Sequence, residues 1–219
     1  MQERDRPLLA VLDYGIGNLR SAQKALERVG AEAHLTADPG LIAEADGLVL
    51  PGVGAFGRCM EALRTAGLED IAVTGATDAA EGGRPFLGVC IGMQMLFEGS
   101  DEAPGVAGLG ALRGWVRRLP DGQKHPQMQW NTLDWRRRPS IASDLADPVW
   151  VYFVHSYAVD GPDHLITATC DYGGPVTAMV DRGRCWATQF HPEKSSVAGL
   201  ALLGGFVAEC AGRPVAPVG

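Results

Sequence analysis

Gly88-Val89-Cys90-Ile91-Gly92 holds a thiol between two glycines, where a short apolar run over residues 85–89 gives way to a helical pattern over residues 91–97. The G-x-C-x-G pattern has the form of the G-x-S-x-G nucleophile elbow with sulfur in place of oxygen. A turn sharp enough to strain its central residue leaves no room for a Cβ on the neighbours, which accounts for both glycines. The sulfur would face the positive end of the following helix, an environment that favours thiolate and hence nucleophilic attack. Cysteine is also among the most buried residue types, so a glycine-flanked cysteine alone reads more readily as packing.

A cysteine nucleophile needs a base, and the base needs a third group to fix its tautomer and stabilise its charge. Thr188-Gln189-Phe190-His191-Pro192-Glu193-Lys194 supplies both. His191 and Glu193 are two apart, so in an extended segment their side chains share a face, within reach of an imidazole–carboxylate hydrogen bond. Pro192 fixes one backbone dihedral and biases His191 toward extended conformations. The chemistry also needs a place for developing negative charge. Residues 46–56 read as a buried strand ending in the turn Pro51-Gly52-Val53-Gly54 before a helix. Such a turn can present backbone N–H groups to an oxyanion near Val53, and the N–H of Ile91 is the natural second donor. An ordinary βα turn or a phosphate cradle would look similar, although the segment lacks the spacing and lysine of a Walker motif and does not match G-x-G-x-x-G.

The elements that must position these groups change character along the chain. Residues 8–13, 33–36, 48–50 and 86–89 read as strands, alternating with helical patterns over residues 18–29, after Pro39, over 55–66 and over 68–80. Alternation of this kind predicts an α/β fold, with a mostly parallel central sheet and helices on both faces. Ligands of such a sheet belong at the carboxyl ends of its strands, where the glycine turn and Cys90 both fall. In the second half, residues 110–119, 132–136, 149–155, 165–170, 175–181 and 185–189 are short strand-like runs that predict an antiparallel or mixed extension, closed by a helix over residues 195–210. Residues 99–110 are the most loop-like interior stretch.

The 219 residues, with 46% apolar content, suit one sizeable core and a single domain over 1–219, with core 8–210 and flexible tails at 1–7 and 211–219. A net charge of −7 argues against nucleic-acid binding. Arg117-Arg118 and Arg136-Arg137-Arg138 read as solvated charges, or as a match for an acidic patch on a partner. Five cysteines without a C-x-x-C suggest neither a disulfide framework nor a metal site, leaving Cys59, Cys170, Cys185 and Cys210 as packing residues. With a charged start and no apolar stretch of membrane-spanning length, the reading is a reduced, cytoplasmic protein that needs no metal or cofactor.

The elbow with Gln94, the Pro51–Gly54 turn and His191-Pro192-Glu193 resemble the three signatures of class I (triad) glutamine amidotransferase domains, a flavodoxin-like fold. Within that class, Asp13-Tyr14-Gly15-Ile16-Gly17-Asn18-Leu19, Trp130-Asn131-Thr132, Tyr152-Phe153-Val154-His155-Ser156-Tyr157 and Lys194-Ser195 resemble the glutaminase subunits of imidazole glycerol phosphate synthases. The resemblance runs from about residue 8 to about residue 209. It implies that Cys90, activated by His191 and oriented through Glu193, attacks the carboxamide of L-glutamine and forms a thioester that water hydrolyses. It further implies that Gly52, Gly54, Gln94, Glu102, His155, Ser156 and Tyr157 line the glutamine pocket, Glu102 from a loosely constrained loop. The implied partner is a separate (β/α)8-barrel cyclase that receives ammonia through a channel, with Asn18, Trp130 and Lys194 at or near the interface and Trp130 and Lys194 poised for a cation–π contact.

One departure from the family pattern is Gln127-Met128-Gln129-Trp130-Asn131, where a glycine is usual at position 129. Glycines on both sides of Val53 predict an easily flipped peptide, and so an oxyanion hole completed only when the partner binds its substrate. Two other functions fit the elbow: a glutaminase serving another synthase, such as that of the vitamin B6 branch, and a cysteine-based redox or stress protein of similar fold.

Overall fold

The computed structural model describes residues 6–17 and 19–212, so Asn18 and most of both expected tails lie outside the described residues. The first strand, β1 (Leu8–Leu12), is buried along its whole length, as a strand with no polar face must be when helices cover both sides of its sheet. Then come α1 (Leu19–Arg28), β2 (Glu32–Thr36), α2 (Pro39–Glu44), β3 (Gly47–Gly52), α3 (Phe56–Thr65), α4 (Glu69–Ala80), β4 (Phe86–Cys90) and the short α5 (Ile91–Met95). The second half supplies β5 (Trp115–Arg118), β6 (Gln127–Thr132), β7 (Asp134–Trp135), β8 (Trp150–His155), β9 (Tyr157–Asp160), β10 (Ile166–Asp171), β11 (Pro175–Arg182), β12 (Cys185–Thr188) and α6 (Ser196–Cys210).

Eight strands form one sheet in the order β2-β1-β3-β4-β12-β11-β10-β7. The pairings from β2 through β12 are parallel, and β11, β10 and β7 add an antiparallel extension. Both features match the architecture expected from the sequence. Neighbouring residues of β3 show how the sheet is covered. A Cβ on Gly47 would lie 2.4 Å from Cys210 Sγ of α6, whereas a Cβ on Gly75 of α4 would lie 2.6 Å from Leu48 Cδ1. Successive strand residues face opposite sides, so α4 and α6 cover opposite faces. Parallel register sets Gly52 beside Cys90 and Thr188 beside Val89. The glycine turn, the elbow and the His-Pro-Glu segment therefore emerge together at the carboxyl edge of β3, β4 and β12.

The second half corrects several expectations. Only Trp115–Arg118 of the run at 110–119 is a strand, and it pairs outside the main sheet with the unanticipated β9. The run at 132–136 contains just the two-residue β7, while the longer β6 precedes it and pairs with β8 in a separate ribbon. The burial of β6 conceals it: polar Gln127 is buried while apolar Met128 and Trp130 are 61% and 46% exposed. The helix after the elbow closes at Met95 rather than Phe97, as the Leu96 and Phe97 N–H groups turn back to the Met93 and Gln94 carbonyls.

Candidate active site

Cys90 stands at the joint of β4 and α5 with φ +56° and ψ −109°, a conformation that a side-chain-bearing residue adopts only when its surroundings impose it. The imposition is visible at Gly92, where a Cβ would lie 1.8 Å from the Leu50 carbonyl oxygen of β3. The elbow can approach its neighbouring strand this closely only through glycine.

His191 continues from β12 in extended backbone, φ −97° and ψ 98°, and is 1% exposed. Its Nδ1 hydrogen-bonds Glu193 Oε1 at 2.8 Å. The route of that contact differs from the sequence expectation, because Pro192–Lys194 is a 3-10 turn rather than a strand and Glu193 returns to the imidazole around it. Ser195 holds the turn, its hydroxyl accepting the Tyr152 N–H at 3.0 Å and donating to the His191 carbonyl at 2.7 Å. His191 Nε2 is buried without a hydrogen-bond partner among the described residues. Burial works against a charged imidazole, but the Cys90 sulfur and the Glu193 carboxylate outweigh it and lift His191 to about 9.

A pocket of about 360 Å³ lies beside Cys90, a volume in the range of small-molecule sites. Val53 and Gly54 contribute from the turn after β3, and His155, Ser156 and Tyr157 from the passage between β8 and β9. Gln94, Glu102 and Lys194 also line it. Gly52 does not; it ends β3 beside Cys90, where a Cβ would meet the Tyr14 hydroxyl at 2.7 Å. The loop of Glu102 is better held than expected: Oε2 accepts the Phe56 N–H at the start of α3 at 2.8 Å, and the Glu102 N–H donates to Ser100 Oγ at 3.1 Å.

The Tyr157 carbonyl accepts from Gln94 Nε2 at 2.9 Å and from His155 Nδ1 at 2.8 Å. A carbonyl only accepts, so both nitrogens donate, leaving Gln94 Oε1 and His155 Nε2 as buried acceptors with no partner among the described residues. Burial lowers His155 to about 4 against the pull of its Tyr157 bond, with His191 lowering it further. It is therefore a neutral acceptor near pH 7. Two unpartnered acceptors in the pocket wall suit a ligand rich in N–H groups.

Sequence reasoning passed over Gln189. It is fully buried, accepts from Gln94 Nε2 at 2.9 Å and donates from Nε2 to Cys90 Sγ at 3.7 Å. Its spacing of two from His191, in a segment leaving a strand, was the available signal. The glycine turn is also tied more firmly than its composition suggested. The Pro51 carbonyl accepts the Tyr14 hydroxyl at 2.6 Å, and the Val53 carbonyl accepts the Cys59 thiol at 3.4 Å. Burial raises Tyr14 far above its ordinary range and Cys59 to about 11, keeping both as donors.

Outside the pocket, the β6–β8 ribbon turns Met128, Trp130 and Trp150 to one exposed face. The Trp130 ring meets Tyr152 edge-on with centroids 6.1 Å apart. The anticipated contact with Lys194 is not among the cation–π pairs of the described residues, which are Arg117–Trp115 and Arg138–Trp135. Gln129 sits in ordinary antiparallel register opposite Phe153 and is exposed, so a side chain there causes no local distortion. The arginine run is paired within the chain, Arg136 with Asp163 at 2.6 Å, Arg137 with Asp181 and Arg138 with Asp147.

The family model for class-I glutamine amidotransferases matches residues 10–209. This chain belongs to that family. Among amidotransferases it is 47% identical over 196 residues to the imidazole glycerol phosphate synthase subunit HisH of Symbiobacterium thermophilum, covering 89% of this chain and 91% of the relative. It is 44% identical over 200 residues to HisH of Methanothermobacter thermautotrophicus, covering 91% and 98%. Within the amidotransferases the chain is therefore a member of the HisH group. The fold is shared with a solved glutamine amidotransferase at TM-score 0.71 and 24% identity, covering 93% of this chain and 98% of that one. It is shared too with the PurLQS structure from Thermotoga maritima at TM-score 0.69 and 18% identity, covering 93% and 99%.

Proposed function

We propose that this chain is the glutaminase subunit of an imidazole glycerol phosphate synthase. As a single amidotransferase domain it hydrolyses L-glutamine and passes ammonia through a channel to a (β/α)8-barrel cyclase, which makes imidazole glycerol phosphate and an aminoimidazole carboxamide ribotide in cytoplasmic histidine biosynthesis. The observation that carries this reading is the meeting of the strained Cys90 elbow and the His191–Glu193 pair at one pocket, in a chain nearly half identical to HisH. The HisH relatives favour it over the vitamin B6 branch. The His-Glu pair and the acceptor-lined pocket favour acyl chemistry over redox sensing.

The Cys90 thiolate attacks the carboxamide carbon, forming an S–C bond while the carbonyl π electrons move to oxygen. The N–H groups of Ile91 and Val53 hold that oxyanion. As the tetrahedral intermediate collapses, the C–N bond breaks and His191 Nε2 gives its proton to the departing nitrogen, which leaves as ammonia. A water then attacks the thioester and passes a proton to His191. The C–S bond breaks, releasing glutamate and restoring the thiolate beside an imidazolium. Glu193 holds the ring throughout, and Gln94 Oε1 and His155 Nε2 accept N–H groups of the bound amino acid.

The Gly52–Val53 peptide lies between two carbonyls tied down by Tyr14 and Cys59, so rotation of that one peptide unit can complete or dismantle the oxyanion hole without moving the turn. The cyclase covers the exposed β6–β8 face that includes Trp130; Lys194 and, outside the described residues, Asn18 also contribute to the interface. Rapid acid quench of the chain turning over glutamine with its cyclase, followed by peptide mass spectrometry, tests the mechanism. The expected result is a γ-glutamyl group on the Cys90 peptide, absent in Cys90→Ala together with glutamate release. Glutamate release by Cys90→Ala would overturn it.

A further inference from the structure

The hydrogen bonds around Cys90 can be followed from a fixed point. The Tyr157 carbonyl is an acceptor only, so the Gln94 atom bonded to it is Nε2. That same nitrogen lies 2.9 Å from Gln189 and, as a donor, requires the Gln189 oxygen there. With its oxygen so engaged, Gln189 turns its NH₂ to Cys90 Sγ at 3.7 Å. Carboxamide orientations are ordinarily ambiguous; here a backbone carbonyl two links away decides. Gln94 and Gln189 are 1% and 0% exposed, so water does not compete for these bonds.

We propose that Gln189 is a catalytic residue, an N–H donor to the Cys90 thiolate, and that Gln94 is the positioning residue that locks it in the donating orientation. The proposal rests on the glutaminase reading and adds a group to its machinery. A donor aimed at an ionisable acceptor favours the charged form. Sulfur carries that charge before attack on the carboxamide and again when the thioester breaks, so the bond assists departure of the thiolate in the hydrolytic step. Gln94 then has two roles: Nε2 orients Gln189 while Oε1 remains free in the pocket wall. The titratable groups around Cys90 are His191 after β12, Tyr14 after β1, Cys59 of α3 and, across the pocket, Glu102, His155, Tyr157 and Lys194, and all of them stay in place in the variants that test the idea.

The test is the pH dependence of Cys90 alkylation by iodoacetamide on the full chain, read by peptide mass spectrometry. Gln189→Met keeps the length and removes the donor; the midpoint of its pH–rate curve should rise by about one pH unit. Gln94→Met, which leaves Gln189 free to turn, should give a smaller rise, and Gln189→Glu, which replaces a donor with an acceptor, a larger one. An unchanged midpoint in folded Gln189→Met overturns the proposal. Should the Gln189 variants not fold, the side-chain ¹⁵N–¹H signals of Gln189 in the wild-type chain decide: movement at the alkylation midpoint supports the proposal, and invariance across it overturns it. Failure of a glutamine-mimicking electrophile to label wild-type Cys90 would overturn the glutaminase reading instead, an outcome distinct from all of these.

Discussion

His191 is buried yet held charged by Cys90 and Glu193, and the consequence is a definite pH dependence of stability. Its folded-state pKa, about 9, lies above the ordinary 6.5, so its contribution is fully present below pH 6.5 and is lost as pH rises toward 9. His155 runs the other way: lowered to about 4, it weakens the fold as pH falls from 6.5 toward 4. In Cys90→Ala, where no thiol proton offsets that of the imidazole, urea unfolding above pH 6.5 should show stability falling as pH rises. That slope should flatten when His191→Gln is added; an unchanged slope would contradict the charged imidazole. The grouping of Cys90, His191 and Glu193 was legible in the sequence because thiol, imidazole and carboxylate in such company are restricted in type and spacing. Gln189 was not, because a neutral carboxamide carries no such restriction and its donor direction is set by Tyr157, remote in sequence. The tautomer of His155 was hidden for the same reason.

At the scale of elements, the parallel half was readable from its alternation of buried strands and amphipathic helices, and the elbow from its glycines. Gly92→Ala tests the elbow directly. A methyl group 1.8 Å from the Leu50 carbonyl oxygen cannot be accommodated without displacing α5 from β3, and the expected cost is about 3 kcal/mol or more by urea unfolding, with loss of rapid Cys90 alkylation. Gly204→Ala in α6 is the control, since nothing lies within 4 Å of its Cβ position and its φ is ordinary; it should be neutral or stabilising by up to ~1 kcal/mol. Equal effects at the two sites would refute the close-approach argument. In the ribbons of the second half β8 was legible, with Val151 and Phe153 buried, whereas β6 escaped because pattern rules assume apolar residues face inward. In β6, Met128 and Trp130 face outward, so its apolar positions do not mark a buried face.

At the scale of the whole molecule, three parallel strands deliver Cys90, His191 and the Pro51–Gly54 turn to one sheet edge, and the β6–β8 ribbon leaves an aromatic face exposed. The turn is tied through the Pro51 and Val53 carbonyls, which leaves the Gly52–Val53 peptide as the one unit between the ties. The sequence indicated a partner through resemblance, whereas the topology that brings the ends of β4 and β8 and the segments after β3 and β12 to one pocket required the folded chain. The most direct measurement is glutamate release by the purified chain alone, with the cyclase subunit, and with the cyclase and its nucleotide substrate. For a glutaminase gated by its partner, release is negligible alone and rises strongly when partner and substrate are both present. Comparable release by the free chain, or none with the loaded partner, would contradict it.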